Sequence, residues 1–443
     1  MGRSCFFTRF SWFILLFFFF FAPAAVQGET YSEKYGRFAG QPTDKQWTVK
    51  FNEDLLADSV AGNIYVTTDS QGRHRLNNEI AIYDKSVVVL PPAGGYIPGQ
   101  TYYLFVDNGV QNTEMENIKT RLKTPFTIRT EADSAYEVRA ASIQEKWAAL
   151  KPAYSGSPYK TKPVVTAPYS SGSLHNAYLA DAVNMTNFIR YLAYLPDDVV
   201  LNDEFSQDAQ AASVLMGANN ELSHYPAKPS DLDQSFYERG YLGASTSNIG
   251  AGYGSVISSI RGGYMSDADA SNMDRVGHRR WILSPKLKEV GFGIAENADG
   301  YPYTAMKVIA PNMYVNNEPA YEYVAWPSET AFPSSFFPGE DPWSISLNGD
   351  IYDSSRLDEV AVTMTRSRDQ KTWRFSDTDR SSGYFNIDTD SYGFLPYTII
   401  FRPNSIEEYF PGDEYIITVS GLYKNSGEEA EITYKTRFFS LIE

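Results

Sequence analysis

The chain of 443 residues has one cysteine, Cys5, and only four histidines. A single cysteine excludes an internal disulfide, and one that precedes the first apolar run leaves no cysteine nucleophile or cysteine metal site in the mature chain. Cys5 precedes the first apolar run, so it is also misplaced for lipid attachment, which requires a cysteine after such a run. Positive charge is scarce as well: 38 Lys and Arg stand against 54 Asp and Glu, a net charge of -16. A surface of that sign repels phosphate backbones and does not seek anionic lipid, so nucleic acid is excluded as an expected partner. No sorting motif or hydrophobic tail is read near Glu443.

The long apolar run that does exist lies at the start. Arg3 and Arg9 precede an apolar stretch from Phe10 to about Phe21, followed by the small residues Ala22, Ala24, Ala25 and Gly28. This reads as a secretory signal peptide over 1–28, cleaved after Ala24 or Gly28. An uncleaved anchor is the alternative, but a spanning helix needs about 20 apolar residues. The expectation is a secreted, extracellular protein without membrane contact after cleavage. Length beyond one hydrophobic core predicts several domains. The 32 Tyr and 27 Phe favour β-rich modules.

Short alternating runs at Trp47–Phe51, Ile64–Val66, Ser86–Leu90, Tyr102–Val106 and Phe126–Ile128 are separated by Gly, Asn, Asp and Pro. They predict a β-sandwich over 29–132. A Pro-Gly-x-x-Tyr corner at Pro98–Tyr102 recurs at Pro411–Tyr415, with Val106 and Val419 four residues on and closing aromatics at Phe126 and Phe438. The repetition predicts a second sandwich over 314–443. Between them, 133–173 reads as a linker with one helix, Glu137 to Leu150, that packs on the central domain. The period then changes: Leu174, Tyr178, Leu179, Ala182, Val183, Thr186, Ile189 and Leu192 follow helical spacing. Further helices are predicted at Glu204–Ala218, Leu232–Arg239 (Asp231 as its cap and Gly240 as its stop) and Ser255–Tyr264. Strands return at Glu289–Ala295 and Tyr303–Ile309.

Within this central part, Val276–Pro285 reads VGHRRWILSP, His224 lies upstream in LSHYP, and Ser247–Gly254 (SNIGAGYG) stands between them. Gly291-Phe292-Gly293 follows. That order resembles the CAP superfamily, the cysteine-rich secretory, antigen 5 and pathogenesis-related proteins. The resemblance covers roughly Leu174 to Ile309 and implies a CAP domain over 174–313. The implied fold class is α+β: a central α-β-α sandwich flanked by two Ig-like β-sandwiches. Eukaryotic extracellular members are commonly held by disulfides, so a disulfide-free chain points to a bacterial secreted type.

The resemblance also implies a cleft of two histidines and two acids. His224 and His278 match the histidines. Ser247, beside Asn248, replaces the first acid, and Asp267 is the best candidate for the second, with Asp269 close behind. Arg279 is read either as a cleft residue or as a structural one bonded to carbonyls or an acid; Arg280 has the same two readings. Asn187 and Arg190 are read as structural, and His74 and His175 lack partners at metal spacing. No catalytic residue is assigned. No cofactor is established; a divalent metal such as zinc, held by His224 and His278 with Asp267, is the one the residues leave open. The expected function is extracellular binding of a ligand or partner protein through the histidine-lined cleft. The alternative is an extracellular hydrolase, metal-assisted or serine-type. Enzyme function is the weaker expectation, because a serine in the acid's place forms no recognisable nucleophile elbow.

Overall fold

The computed structural model describes residues 38–310, 313 and 321–442, together with the backbone of Leu16–Phe19. The expected signal peptide otherwise lies outside the described residues, as does the expected start of the second β module at Tyr314. Leu16–Phe19 runs parallel to Trp47–Phe51. No described helix is long and apolar enough to cross a membrane. The chain divides into two compact units, Met1–Ala135 and Tyr136–Glu443.

The first unit is built from two sheets. Trp47–Phe51 pairs with Ser86–Pro92, which pairs with Asn78–Tyr83. In the other sheet Phe38–Gln41 lies parallel to Leu122–Ile128, followed by Thr101–Val106 and Ile64–Thr67. Strict alternation buries Trp47, Val49 and Phe51 while Thr48 and Lys50 stay half-buried, as a sheet with one covered face requires. Trp47, Tyr96 and Tyr102 converge on the Phe126 ring at centroid distances of 4.9, 5.3 and 5.7 Å. Each expected strand is present. Phe38–Gln41 and Asn78–Tyr83 were not anticipated, because one is four residues with an internal glycine and the other buries neither face fully. Pro125 hid the start of Leu122–Ile128; it falls where Phe38–Gln41 is not yet paired, an edge position that tolerates proline.

The helix assigned to the linker is longer than the periodicity indicated, Glu131–Leu150. Thr130 caps it: Thr130 Oγ1 accepts from Asp133 N at 3.1 Å, while Asp133 Oδ2 accepts from Thr130 N at 3.0 Å. This is a reciprocal box with aspartate in the glutamate position. The stretch after it is not a free linker. Asp181 Oδ2 accepts from Ala153 N and Tyr154 N, Tyr159–Thr161 pairs with Ser173–Leu174, and the Tyr154 ring packs on His175.

Helices Asn176–Leu192 and Asp203–Asn219 follow the expected periodicity. The next helix, Gln234–Ser245, starts at an Asp233 cap and runs straight through Gly240. That glycine is a packing contact rather than a stop. A Cβ at Gly240 would sit 3.0 Å from Ala211 O, and one at Gly243 only 2.1 Å from Asp208 O, so the pair lets this helix press onto Asp203–Asn219. A short helix Val256–Ser258, capped by Ser255, leads into a π-helical turn, Ser259–Tyr264. The central sheet runs Val200–Leu201, Glu289–Glu296, Pro302–Lys307, Ser247–Ala251. Gly291 and Gly293 let the Asp203–Asn219 backbone lie against Glu289–Glu296, since Cβ atoms there would meet Phe205 C and Ala209 O at 2.2 Å. Ile249, Tyr303 and Ala305 pack with Ala209, Ala212, Met216 and Ala244, whereas Phe292, Ile294 and Met306 join Met185, Phe188 and Ile189.

After this sheet the chain forms two more. One runs Tyr323–Trp326, Trp343–Leu347, Tyr397–Pro403, Gly383–Asp388; the other runs Thr330–Pro333, Glu429–Phe439, Glu414–Tyr423, Ala361–Arg366, Lys371–Ser376. The Pro-Gly corner is the same device in both β modules. Gly99 N donates to Ile128 O and Ile128 N to Gln100 O; Gly412 N donates to Phe438 O and Phe438 N to Asp413 O. Gly99 and Gly412 have φ of +76° and +93°, the left-handed region that favours glycine. Each corner's next strand pairs with a closing strand that carries a short parallel strand on its other edge. The equivalence expected of Phe126 and Phe438 shifts by two residues, because Ile128 is the partner that matches Phe438.

Candidate functional site

His278 lies in the short helix Gly277–Ile282. Its Nδ1 bonds Asp267 Oδ1 at 2.7 Å, and the other oxygen of Asp267 accepts from Arg279 N at 3.0 Å. Asp267 is 1% exposed and has φ +46°; Val276, just before the helix, has φ +44°. Left-handed backbone at a β-branched residue costs about 1–3 kcal/mol and persists only where surroundings enforce it. Val276 carries that strain two residues before His278, whereas an aspartate adopts the left-handed region more readily. Burial alone would lower the His278 pKa, but the Asp267 charge and hydrogen bond outweigh it and the net shift is upward. The Asp267 bond assigns Nδ1 as the donor and leaves Nε2 for a ligand.

His224 follows the Asp203–Asn219 helix, which ends at left-handed Asn220. Its Nδ1 bonds Ala244 O at 2.9 Å, which again leaves Nε2. Burial lowers its pKa, and the nearby charges of His278 and Arg275 lower it further against the Ala244 bond. The imidazoles therefore sense each other and titrate in opposite directions from their ordinary value.

Strand alternation sends Ser247 and Asn248 to opposite faces of Ser247–Ala251. Asn248, 1% exposed, donates from Nδ2 to His278 O at 2.9 Å, so it braces the histidine backbone. Ser247 is 4% exposed, and its hydroxyl has no hydrogen-bond partner among the described residues. Asp269 caps its own turn through Ser271 N and Asn272 Nδ2.

Arg279 is corrected from cleft residue to structural anchor. It is fully buried: Nε donates to Met265 O, Nη2 to Ser266 O, and Nη1 to Pro342 O and Ser344 Oγ. Arg280 is buried too, its guanidinium held by Asp388 Oδ2, Asp390 O and Leu395 O. Both arginines thus bind the segment that carries His278 to the C-terminal β module. Asp341, in the same module, accepts from Ser266 Oγ, and burial pushes its pKa up to about 6 despite nearby Arg279. Asn187 and Arg190 are structural as read: Asn187 exchanges two bonds with Val199, and Arg190 holds Pro196 O, Ile282 O and Ser284 O. Sequence reasoning missed Ser344, Pro342 and Asp388 because they lie in a different predicted domain.

Both oxygens of Asp267 already accept, from His278 Nδ1 and from Arg279 N, so Asp267 meets His278 as a hydrogen-bond partner. Among the described residues no group of three or more His, Cys, Asp or Glu is placed to hold a metal ion. The residues present offer two imidazole nitrogens, whereas a protein zinc site ordinarily uses three or four protein ligands.

Residues 183–308 match the cysteine-rich secretory protein family, CAP, so the central part of the chain is a CAP domain. Residues 38–130 match the bacterial Ig-like domain, and the first β module is of that kind. No curated protein matches the chain. Among solved structures, the N-terminal part of the bacterial S-layer protein SbsC is similar at 12% identity and a TM-score of 0.17, covering 31% of each chain. A longer form of SbsC, residues 31–844, shows 10% identity over 91% of this chain and 54% of that one, also at a TM-score of 0.17. The chain thus spans about a third to a half of the lengths of these structures.

Proposed function

We propose that the protein is secreted by a bacterium and works outside the cell as a binding or interaction protein, through a cleft formed by His224 and His278. In this reading 1–28 is a removed leader. An α-β-α CAP sandwich over 174–313 stands between Ig-like sandwiches at 29–132 and 314–443, and 133–173 belongs with the CAP part. The observation that carries the reading is the matched tethering of two imidazoles, His278 Nδ1 to a buried carboxylate and His224 Nδ1 to a carbonyl, with both Nε2 atoms left over. Fixing one ring nitrogen orients the other for a ligand. Asn248 and Arg279 hold this geometry from behind.

Two imidazole nitrogens fall short of a protein zinc site, so the reading rests on a ligand that hydrogen-bonds the two Nε2 atoms. Imidazole proton NMR of the full chain tests the convergence. His278→Ala should raise the His224 pKa, because the charge of His278 helps to hold it down. A His224 titration unchanged by His278→Ala would contradict the reading. The serine-type form of the hydrolase alternative needs Ser247 beside an imidazole, and its buried, unpartnered hydroxyl lends that no support. Peptide or ester turnover that is lost on His278→Ala would reverse the preference.

A further inference from the structure

A row of aromatic rings begins at His224 and runs onto the Gln234–Ser245 helix. Successive centroids lie 6.5 Å apart from His224 to Tyr225, 6.1 Å from Tyr225 to Tyr241 and 5.8 Å from Tyr241 to Tyr237. Tyr237 and Tyr241 share a helix face because they are four residues apart. Tyr225 is 70% exposed, and Tyr241 and Leu242 are exposed beside it. Tyr237, Glu238, Tyr241, Leu242 and Ser245 line a shallow groove of about 300 Å³. Single exposed rings need no explanation, whereas adjoining exposed Tyr225 and Tyr241, with half-buried Tyr237 beside them, form a patch suited to meet a ligand.

We infer that this row binds an uncharged carbohydrate chain. Among the described residues Glu238 is the only charged one that lines the groove, and neighbouring Arg239 is drawn away to Gln207 and Asp208, so an anionic ligand finds no counter-charge there. A carboxylate accepts hydrogen bonds and cannot donate them. One oxygen of Glu238 accepts from Gln234 Nε2, and the other can accept from a ligand. Sugar hydroxyls supply such donors at every ring; a hydrocarbon tail has none, and proline itself lacks an N–H.

The hydroxyls of Tyr225 and Tyr241 have no partner among the described residues and can both donate to and accept from a sugar. The ring faces offer apolar stacking for pyranose C–H groups. Near-uniform spacing, close to one pyranose repeat, suits an extended chain, and ring-to-ring tilts of 58°, 46° and 52° suit a twisted one. Five residues line the groove, far fewer than the roughly 20–30 a side of a stable protein interface. This inference goes beyond the histidine cleft and meets it at His224.

Calorimetric titration of the full chain with the neutral hexasaccharides of N-acetylglucosamine and of glucose tests it. Wild type should bind at least one of them. Tyr225→Ala/Tyr241→Ala should weaken that binding by about tenfold or more, and Tyr225→Phe/Tyr241→Phe should retain most of it. Denaturant unfolding of the same variants, followed by tryptophan fluorescence, should match wild type, which shows that they are folded. No binding of either hexasaccharide, undiminished binding by the Ala double variant, or preference for a proline-rich decapeptide would overturn the inference.

Discussion

The two β modules share a Pro-Gly corner, the same pair of clamp bonds and a parallel edge strand, yet their cores differ in extent. In the first, Trp47, Tyr96, Tyr102 and Phe126 belong to a core drawn entirely from residues 47–128. In the second, Trp343, Phe401, Tyr415 and Phe438 belong to the same core as Met185, Phe188 and Phe292 of the CAP part. Trp147, Phe188 and Phe336 form one ring cluster across linker helix, CAP helix and β module, with centroids 4.9–5.5 Å apart. Gly393 allows its loop to lie against the Arg280 carbonyl, where a Cβ would come within 2.1 Å. A repeated corner therefore specifies a module without specifying its independence. That depends on whether polar anchors and rings are spent inside the module or on a neighbour.

The largest expected effect comes from breaking those anchors. Arg279→Ala leaves two carbonyls of the CAP part and Pro342 O buried without their donor. It should destabilise the second unit by about 3–5 kcal/mol in denaturant unfolding followed by tryptophan fluorescence. Trp147→Ala should cost a similar or slightly smaller amount, about 3 kcal/mol or more, by opening a cavity between helix and β module. In each variant, amide exchange across Trp47–Ile128 should stay as in wild type; loss of protection there would undo the contrast.

The corner sharpens the comparison from the other side. Gly99→Ala and Gly412→Ala each force a left-handed alanine and should cost about 1–2 kcal/mol. The first should loosen only its own module, and the second should loosen the CAP helices as well. Exchange mass spectrometry on peptides from 176–192 reads the difference.

The smallest effect is a pH dependence. The raised His278 pKa means that its contribution to stability is fully present below the unfolded value near 6.5 and is lost as pH rises through the folded value. His224 has a lowered pKa, so its charging costs stability as pH falls below about 6.5. Proton NMR should find the two imidazoles titrating on opposite sides of that value, and Asp267→Asn should bring His278 down. An unchanged His278 titration in that variant would contradict the bond.

The elements whose sequence pattern has one physical cause were legible. Alternation gave Trp47–Phe51, helical spacing gave Asn176–Leu192, and the corner motif gave both turns. What was not legible depended on distant partners. Gly240 has the residue type of a helix stop, and only the neighbouring helix backbone reveals it as a packing contact. Arg279 and Arg280 carry no local sign of where their guanidiniums point. The histidines were found through the family's order of motifs, but that order could not say that Asp267 would spend both oxygens on His278 and Arg279. The tyrosine row was missed because Tyr225 and Tyr241 are joined by folding and not by spacing.

The central claim is that the histidine site and the C-terminal β module are one folding unit, joined from Ser344 and Pro342 through Arg279 to Asp267 and His278. Native-state hydrogen exchange of the full chain across a denaturant series tests it most directly. The account predicts that buried amides of 176–310 and of 321–442 open with the same free energy and the same denaturant slope, and that Arg279→Ala lowers both together. Separate opening of the two segments, each with its own free energy and slope, would contradict it.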